Sequence, residues 1–128
     1  MHYTPFVTVL MLFLFFWTTW NVGKARGKYK IDAPATTGNP DFERIFRVQQ
    51  NTLEQLMLTL PALWLFALYN SDLWAAAIGV FWIGTRVYYA VGYYAEAPKR
   101  GTGFLVSILT TAVLVIGALI GTGLALLK

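Results

Sequence analysis

The sequence predicts an all-α integral membrane protein, a bundle of four helices that forms a single domain over residues 1–128. Three observations carry that prediction. Of 128 residues, 57% are hydrophobic and only 12% are charged, where soluble domains average about 45–50% and about 25%. The apolar residues gather in runs long enough to cross a hydrocarbon core of about 30 Å, which takes about 20 helical residues. Most of the basic residues fall between or beside those runs. Disorder is excluded, because it needs low hydrophobicity and high charge. The chain has no cysteine, which removes disulfides, thiolate metal sites and a cysteine nucleophile of its own. Any thiol chemistry must take its thiol from a ligand. The net charge of +4 suits anionic lipid head groups or an anionic ligand, and does not choose between them.

The first helix is expected over residues 5–28. No charged side chain occurs before Lys24, and PFVTVLMLFLFFWTTW is apolar with an aromatic end. A secretory signal would begin with basic residues and end at a small-residue cleavage site. Neither is present around this run, so it reads as an uncleaved span. Pro5 falls in the first turn, where proline is tolerated. The second helix, residues 40–69, opens at Asn39-Pro40-Asp41 with capping chemistry and acidic residues in its first turn. Pro61 lies inside it and predicts a kink. Asn70-Ser71-Asp72 are turn residues. The third helix, residues 72–94, is apolar apart from Arg86, with Gly92 near its end and Pro98 just beyond. The fourth, residues 101–127, lies in the charge-free run Gly101 to Leu127. Four such helices leave no room for a soluble domain, and no internal repeat is present.

The first loop region holds Lys24, Arg26, Lys28 and Lys30, and the third holds Lys99 and Arg100. The opposite side has only Lys128. The positive-inside rule puts these two loops in the cytoplasm and both termini outside. The membrane expected is a bacterial inner membrane or the endoplasmic reticulum. Lys24, Lys28 and Lys30 read as orienting charges that meet lipid phosphates.

Several polar residues stand where a membrane helix should not tolerate them. In FERIFRVQQNTLEQL, Arg47, Asn51 and Glu54 follow i, i+4, i+7 and share a face. A charge deep in a membrane helix costs about 2.5–3.5 kcal/mol even on the mildest scale. Such residues face a protein interior or a wet cavity, either as a site or as structural glue in which Arg47 and Glu54 find partners on other helices. In the third helix Arg86, Tyr89 and Tyr93 share a face, while Tyr88 and Tyr94 read as an interfacial belt. Arg86 reads equally as a ligand contact or as the partner of a carboxylate such as Glu54. Both polar sets lie toward the same membrane side, so Arg26, Arg47, Asn51, Glu54, Tyr89, Tyr93 and Arg100 can converge there. Guanidinium groups call for carboxylates or phosphates, and a carboxylate beside them calls for an ammonium on the same ligand. A zwitterionic, net-anionic peptide fits, whereas a nucleotide leaves Glu54 without a role. The only histidine is His2, so neither a metal centre nor a histidine triad is expected. No nucleic-acid partner is expected either.

FERIFRVQQNTLEQL, then RVYYAVGYY and a basic third loop, resembles the family of membrane-associated proteins in eicosanoid and glutathione metabolism. The likeness is greatest to its type-three microsomal glutathione transferases and leukotriene C synthases. The resemblance implies a homotrimer of four-helix subunits with glutathione as co-substrate at subunit interfaces. By position, Arg47, Asn51, Glu54, Tyr89 and Tyr93 would hold the γ-glutamyl end. Arg26 and Gln49 would reach the glycine carboxylate, in part from the neighbouring subunit. Arg100 would lie beside the sulfur, with Lys99 as the alternative, and Arg100 and Tyr93 are the residues expected to be catalytic. Gln55 and Leu56 depart from the family's usual residues after Glu54, and Gly27 replaces a second arginine found in some relatives. The implied activity is transfer of glutathione to lipophilic electrophiles, together with glutathione-dependent reduction of lipid hydroperoxides. Two rival readings stand beside it. One is a non-catalytic member that binds lipid or presents a partner. The other is a small proton-coupled multidrug exporter, which would be expected to carry an acidic residue within a span; only Glu54 lies well inside one.

Overall fold

A computed structural model describes residues 1–128. Four long helices, α1 (Tyr3–Tyr29), α2 (Pro40–Tyr69), α3 (Asp72–Ala95) and α4 (Arg100–Leu126), follow one another with a single 3₁₀ turn, Ala97–Lys99, before α4. There are no strands. Each of the four segments is long and apolar enough to cross a membrane. α2 and α3 pack together, and α1 and α4 each pack on both of them. Many large apolar side chains remain exposed on all four helices, including Phe13, Phe16, Trp20, Phe81, Leu119 and Ile120. In water such a surface would be untenable; against acyl chains it is the expected exterior of a membrane bundle.

The helix starts follow local chemistry. The Asn39 side chain accepts from the backbone N–H groups of Asp41 (2.8 Å) and Phe42 (3.1 Å), with Pro40 in the first turn of α2. The Ser71 hydroxyl accepts from Trp74 N–H at 3.1 Å and starts α3. α2 continues through Pro61. α1 has no capping side chain of its own. Its first N–H groups go instead to the Asp72 carboxylate, which accepts from Thr4 at 2.9 Å and from His2 and Tyr3 at 3.1 Å each. The Asp72 backbone carbonyl takes the Thr4 hydroxyl as well, at 3.3 Å. A negative carboxylate at a helix N-terminus both satisfies orphan donors and opposes the positive end of the helix dipole. Asp72→Ala is expected to lower the melting temperature in detergent by a few degrees, and Asp72→Asn by less, because an amide keeps one acceptor and loses the charge.

The main core holds Met11, Leu63, Trp82 and Leu114 between the four helices. A few side-chain hydrogen bonds tie the spans together. Trp64 Nε1 donates to Thr8 Oγ1 (2.9 Å), Thr59 and Thr111 share a hydroxyl bond (2.8 Å), and Asn70 Nδ2 donates to the Gly117 carbonyl (2.8 Å). Such bonds average about 0.6 kcal/mol between membrane helices, so they fix register more than they supply stability. Register matters most where α4 crosses α3. A Cβ on Gly103 would sit 2.7 Å from the Tyr89 Cα and 2.8 Å from its backbone nitrogen, and backbone cannot move aside as a side chain can. Gly103→Ala is therefore expected to destabilise the bundle by about 1–3 kcal/mol. It should also displace Tyr89, which thermal unfolding and ligand titration would both register.

Candidate functional site

Alternating helix directions bring the end of α1, the start of α2, the end of α3 and the start of α4 to one end of the bundle. A cavity of about 350 Å³ opens there, lined by Arg47 and Asn51 from α2, Tyr89 from α3, and Arg100, Gly101 and Phe104 from α4. Its polar residues come from three helices and far-apart stretches of sequence. The 3₁₀ turn after α3 returns the chain so that the first residue of α4, Arg100, faces the ends of α2 and α3. Arg100 stacks over the Tyr93 ring at 5.5 Å, and the Tyr93 ring meets that of Tyr89 edge-on at 5.7 Å.

Glu54 lies on the same α2 face as Arg47, and Arg47 Nη2 reaches its Oε1 at 3.7 Å. Both side chains are about half exposed, 47% and 55%, so the pair is loose and open to exchange with a ligand. This corrects the reading that the two groups find partners on other helices: seven positions span two turns, and two long side chains bridge that gap along one face. Arg47 and Glu54 together offer a cation and an anion to a zwitterion.

Arg86 does not pair with Glu54. It is buried to 1% exposure, and its guanidinium is held by neutral oxygens. Nη2 donates to Asn51 Oδ1 (2.8 Å) and Thr52 Oγ1 (3.0 Å), and Nη1 donates to Ser107 Oγ (3.3 Å). The Tyr89 ring lies 4.2 Å and the Trp82 ring 5.9 Å from its centre. Aromatic faces and neutral acceptors spread the charge of a cation that has no carboxylate at hand. The arrangement has two effects on the cavity. A guanidinium only donates, so Asn51 must turn its oxygen to Arg86, which leaves its NH₂ for the cavity. The buried charge also adds to the positive potential of Arg47 and Arg100.

Arg26 and Gln49 stand apart from this cavity within one chain. Arg26 Nη1 donates to the carbonyls of Ala35 (2.8 Å) and Ile31 (3.3 Å), and the guanidinium lies 5.1 Å from the Phe42 ring centre, so it braces the first loop. Gln49 Nε2 donates to Thr19 Oγ1 on α1 at 3.1 Å. Lys99 pairs with Glu96 at 3.2 Å and does not line the cavity. Tyr88 is exposed, as an interfacial residue would be. Tyr94 is half-buried and tied to α1 as well: its hydroxyl accepts from Asn21 Nδ2 at 3.2 Å and its ring packs on Trp17. Four contributors escaped the sequence reading. Phe104 lies four positions after Arg100 and so shares its face, while Gly101, about 100° round the helix from Arg100, lines the cavity with backbone alone. Thr52, next to Asn51 on α2, helps to hold Arg86. Ser107 is a small polar residue one turn further on, hidden within an apolar run.

The architecture and the cavity together define a class, namely a membrane-spanning helical bundle with a pocket at one end lined by two arginines, an amide and a phenol. The chain belongs to the MAPEG family, whose model matches residues 4–120. It is 51% identical over 114 residues to an uncharacterized protein of Synechocystis sp., covering 89% of this chain and 83% of the relative. It is 42% identical over 100 residues to microsomal glutathione S-transferase 2 of Bos taurus, covering 78% of this chain and 68% of that one. Leukotriene C4 synthase of Cavia porcellus is 36% identical over 94 residues, which cover 73% of this chain and 63% of the synthase.

Proposed function

We propose that this protein is a membrane glutathione transferase that conjugates the glutathione thiolate to lipophilic electrophiles. One observation carries the reading: Arg47, Asn51, Tyr89 and Arg100 line one cavity, with the Glu54 carboxylate at Arg47. Glutathione offers two carboxylates, one ammonium and one thiol. Arg47, the Asn51 amide and the Tyr89 and Tyr93 hydroxyls suit the γ-glutamyl carboxylate, and Glu54 suits its ammonium. The transferase and synthase names of the relatives support this choice of ligand. The ligand also brings the thiol that a cysteine-free chain lacks.

Chemistry then centres on Arg100. A thiol with pKa about 8.5 is mostly protonated at pH 7, and the thiolate is the nucleophile. A fixed guanidinium beside the sulfur favours the thiolate, and the proton leaves to water. The sulfur forms a bond to an electrophilic carbon, and the leaving group departs with its electron pair or the ring opens to an alkoxide. With a hydroperoxide, the same thiolate attacks the distal oxygen and becomes a sulfenic acid, while the O–O bond breaks to expel an alkoxide that takes a proton from water and leaves as the alcohol. A second glutathione converts that to the disulfide and water.

The working form in this proposal is a homotrimer. Within one chain, Arg26 and Gln49 point away from the cavity, which suits residues that complete a neighbour's site. The exposed apolar flanks of α1 and α4 suit a groove between subunits through which a lipophilic substrate enters from the bilayer. The basic first and third loops favour a cytoplasmic site with both termini on the far side. Calorimetric titration of the detergent-purified protein with glutathione tests the core of the reading. Binding between about 1 μM and 1 mM, followed by turnover of a chlorodinitrobenzene-type electrophile, is the expected result. Absence of binding overturns the proposal, and binding without turnover reduces it to a non-catalytic member.

A further inference from the structure

A second cavity, of about 520 Å³, opens at the same end of the bundle between α1, α2 and α3. Its wall on α1 includes Trp17, Asn21, Lys24 and Lys28, with Ile45 from α2 and Tyr94 from α3 opposite. The α1 residues follow i, i+4, i+7 and i+11, so they form one stripe about 16 Å long. Along that stripe the chemistry changes steadily from an indole, through an amide, to two ammonium groups at the loop end. Tyr89, on the wall of the arginine-lined cavity, and Tyr94, on the wall of this one, are five positions apart and so point about 140° from each other around α3, which separates the two cavities.

Two observations define what this cavity takes. No carboxylate lines it, and the ion pairs of the chain are Arg44–Asp41, Arg47–Glu54 and Lys99–Glu96. Lys24 and Lys28 are thus two cations one helical turn apart with no anion paired to them, and Lys28 Nζ meets only the Tyr29 ring, 5.3 Å from its centre. The Tyr94 oxygen accepts from Asn21, which leaves its own O–H to donate into the cavity. Two ammonium groups, a phenol donor and an apolar floor of Trp17 and Ile45, at the level where basic loops meet the bilayer, match a phosphate joined to a glycerol and acyl chains. We propose that this cavity is a binding site for one anionic diacyl phospholipid. Lys24 and Lys28 hold its phosphate, Tyr94 donates to a phosphate oxygen, and the glycerol end lies along Trp17. Lipid here would wedge α1 against α3 and fix the end of α1 from which the first loop departs.

Native mass spectrometry of the detergent-purified protein, with equal amounts of phosphatidylglycerol and phosphatidylcholine of matched chains, tests this. The wild-type protein is expected to retain phosphatidylglycerol about thirtyfold in preference, given about 1 kcal/mol for each of the two lysines near an anionic head group. Lys24→Gln/Lys28→Gln should abolish that preference, Lys24→Arg/Lys28→Arg should keep it, and Tyr94→Phe should weaken it. Glutathione titration of the same variants should be unchanged, since neither lysine lines the arginine cavity, and this separates loss of the lipid site from misfolding. Failure of the wild-type protein to bind glutathione would leave the lipid result standing. No preference in the wild type, or a preference that survives in the double glutamine variant, overturns the proposal. Displacement of the lipid by millimolar glycerol phosphate would show that the site takes soluble phosphates, and would overturn it too.

Discussion

Replacing Arg100 by alanine is expected to lower glutathione conjugation at pH 7 by about a hundredfold, the usual cost of losing one fixed group that stabilises a developing anion. Glutathione affinity should change by only a few fold, because Arg47, Asn51 and Tyr89 remain in the cavity wall. The sign follows from charge. A guanidinium beside the sulfur lowers the thiol pKa, so its removal returns the thiol toward about 8.5. Ultraviolet absorbance of the bound thiolate, followed against pH, reads this directly: the midpoint rises in Arg100→Ala and rises less in Arg100→Lys. The rate deficit should also narrow as pH is raised, since the thiolate then forms without help. Lys99→Ala is the control. Lys99 is paired with Glu96 outside the cavity, and its loss should leave the thiolate midpoint in place. An unshifted midpoint in Arg100→Ala would remove Arg100 from the proposed role.

Arg86→Met should separate stability from ligand binding. Methionine keeps the length of the side chain and removes the charge. Two effects oppose each other. Hydrogen bonds from a charged donor contribute about 1.5–3 kcal/mol each, and Asn51, Thr52 and Ser107 lose theirs. Against that, a buried cation without a carboxylate partner is removed, which relieves a desolvation cost of several kcal/mol. The Thr52 and Ser107 hydroxyls can also turn to other acceptors, as Ser107 already does toward the Phe104 carbonyl at 2.9 Å. The net loss of stability is expected to be modest, about 1–3 kcal/mol. Glutathione affinity should fall further in proportion, by at least about tenfold. Asn51 is no longer forced to present its NH₂ to the cavity, and the local positive potential drops. Arg86→Lys, which keeps the charge without the fork, should fall between the two in affinity. Equal affinities for wild type and Arg86→Met would reduce Arg86 to packing.

The four long apolar helices were legible because membrane insertion needs long, nearly uncharged runs and the polar punctuation between them is local. The caps at Asn39 and Ser71 were legible for the same reason: each acts on its own next few residues. The capping of α1 was not, because its acceptor lies 68 positions from Thr4 and Asp72 looks like any turn residue. Among the charged residues, sequence spacing grouped Arg47, Asn51 and Glu54 on one face. It could not assign partners, since helix periodicity gives direction and not reach. Hence Arg47 and Glu54 proved to be partners of each other, and Arg86 settled on neutral oxygens from α2 and α4. The contact of Tyr94 with α1 was not legible either, because an aromatic residue at a helix end has the same signature whether or not its hydroxyl meets a neighbouring helix. Asn21, on another helix, decided that.

The Asp72 cap carries a consequence for biosynthesis. The N-terminus of α1 and the carboxylate that closes it are separated by two whole spans, α1 and α2. At synthesis rates of 5–20 residues per second, about 4 to 14 s pass between them. Throughout that interval the first N–H groups of α1 lack the acceptor that they have in the folded chain. Only when the second hairpin emerges does an acid arrive to seal them. The start of the first span is therefore closed by the start of the third, and the two ends are held side by side only once α3 is in place.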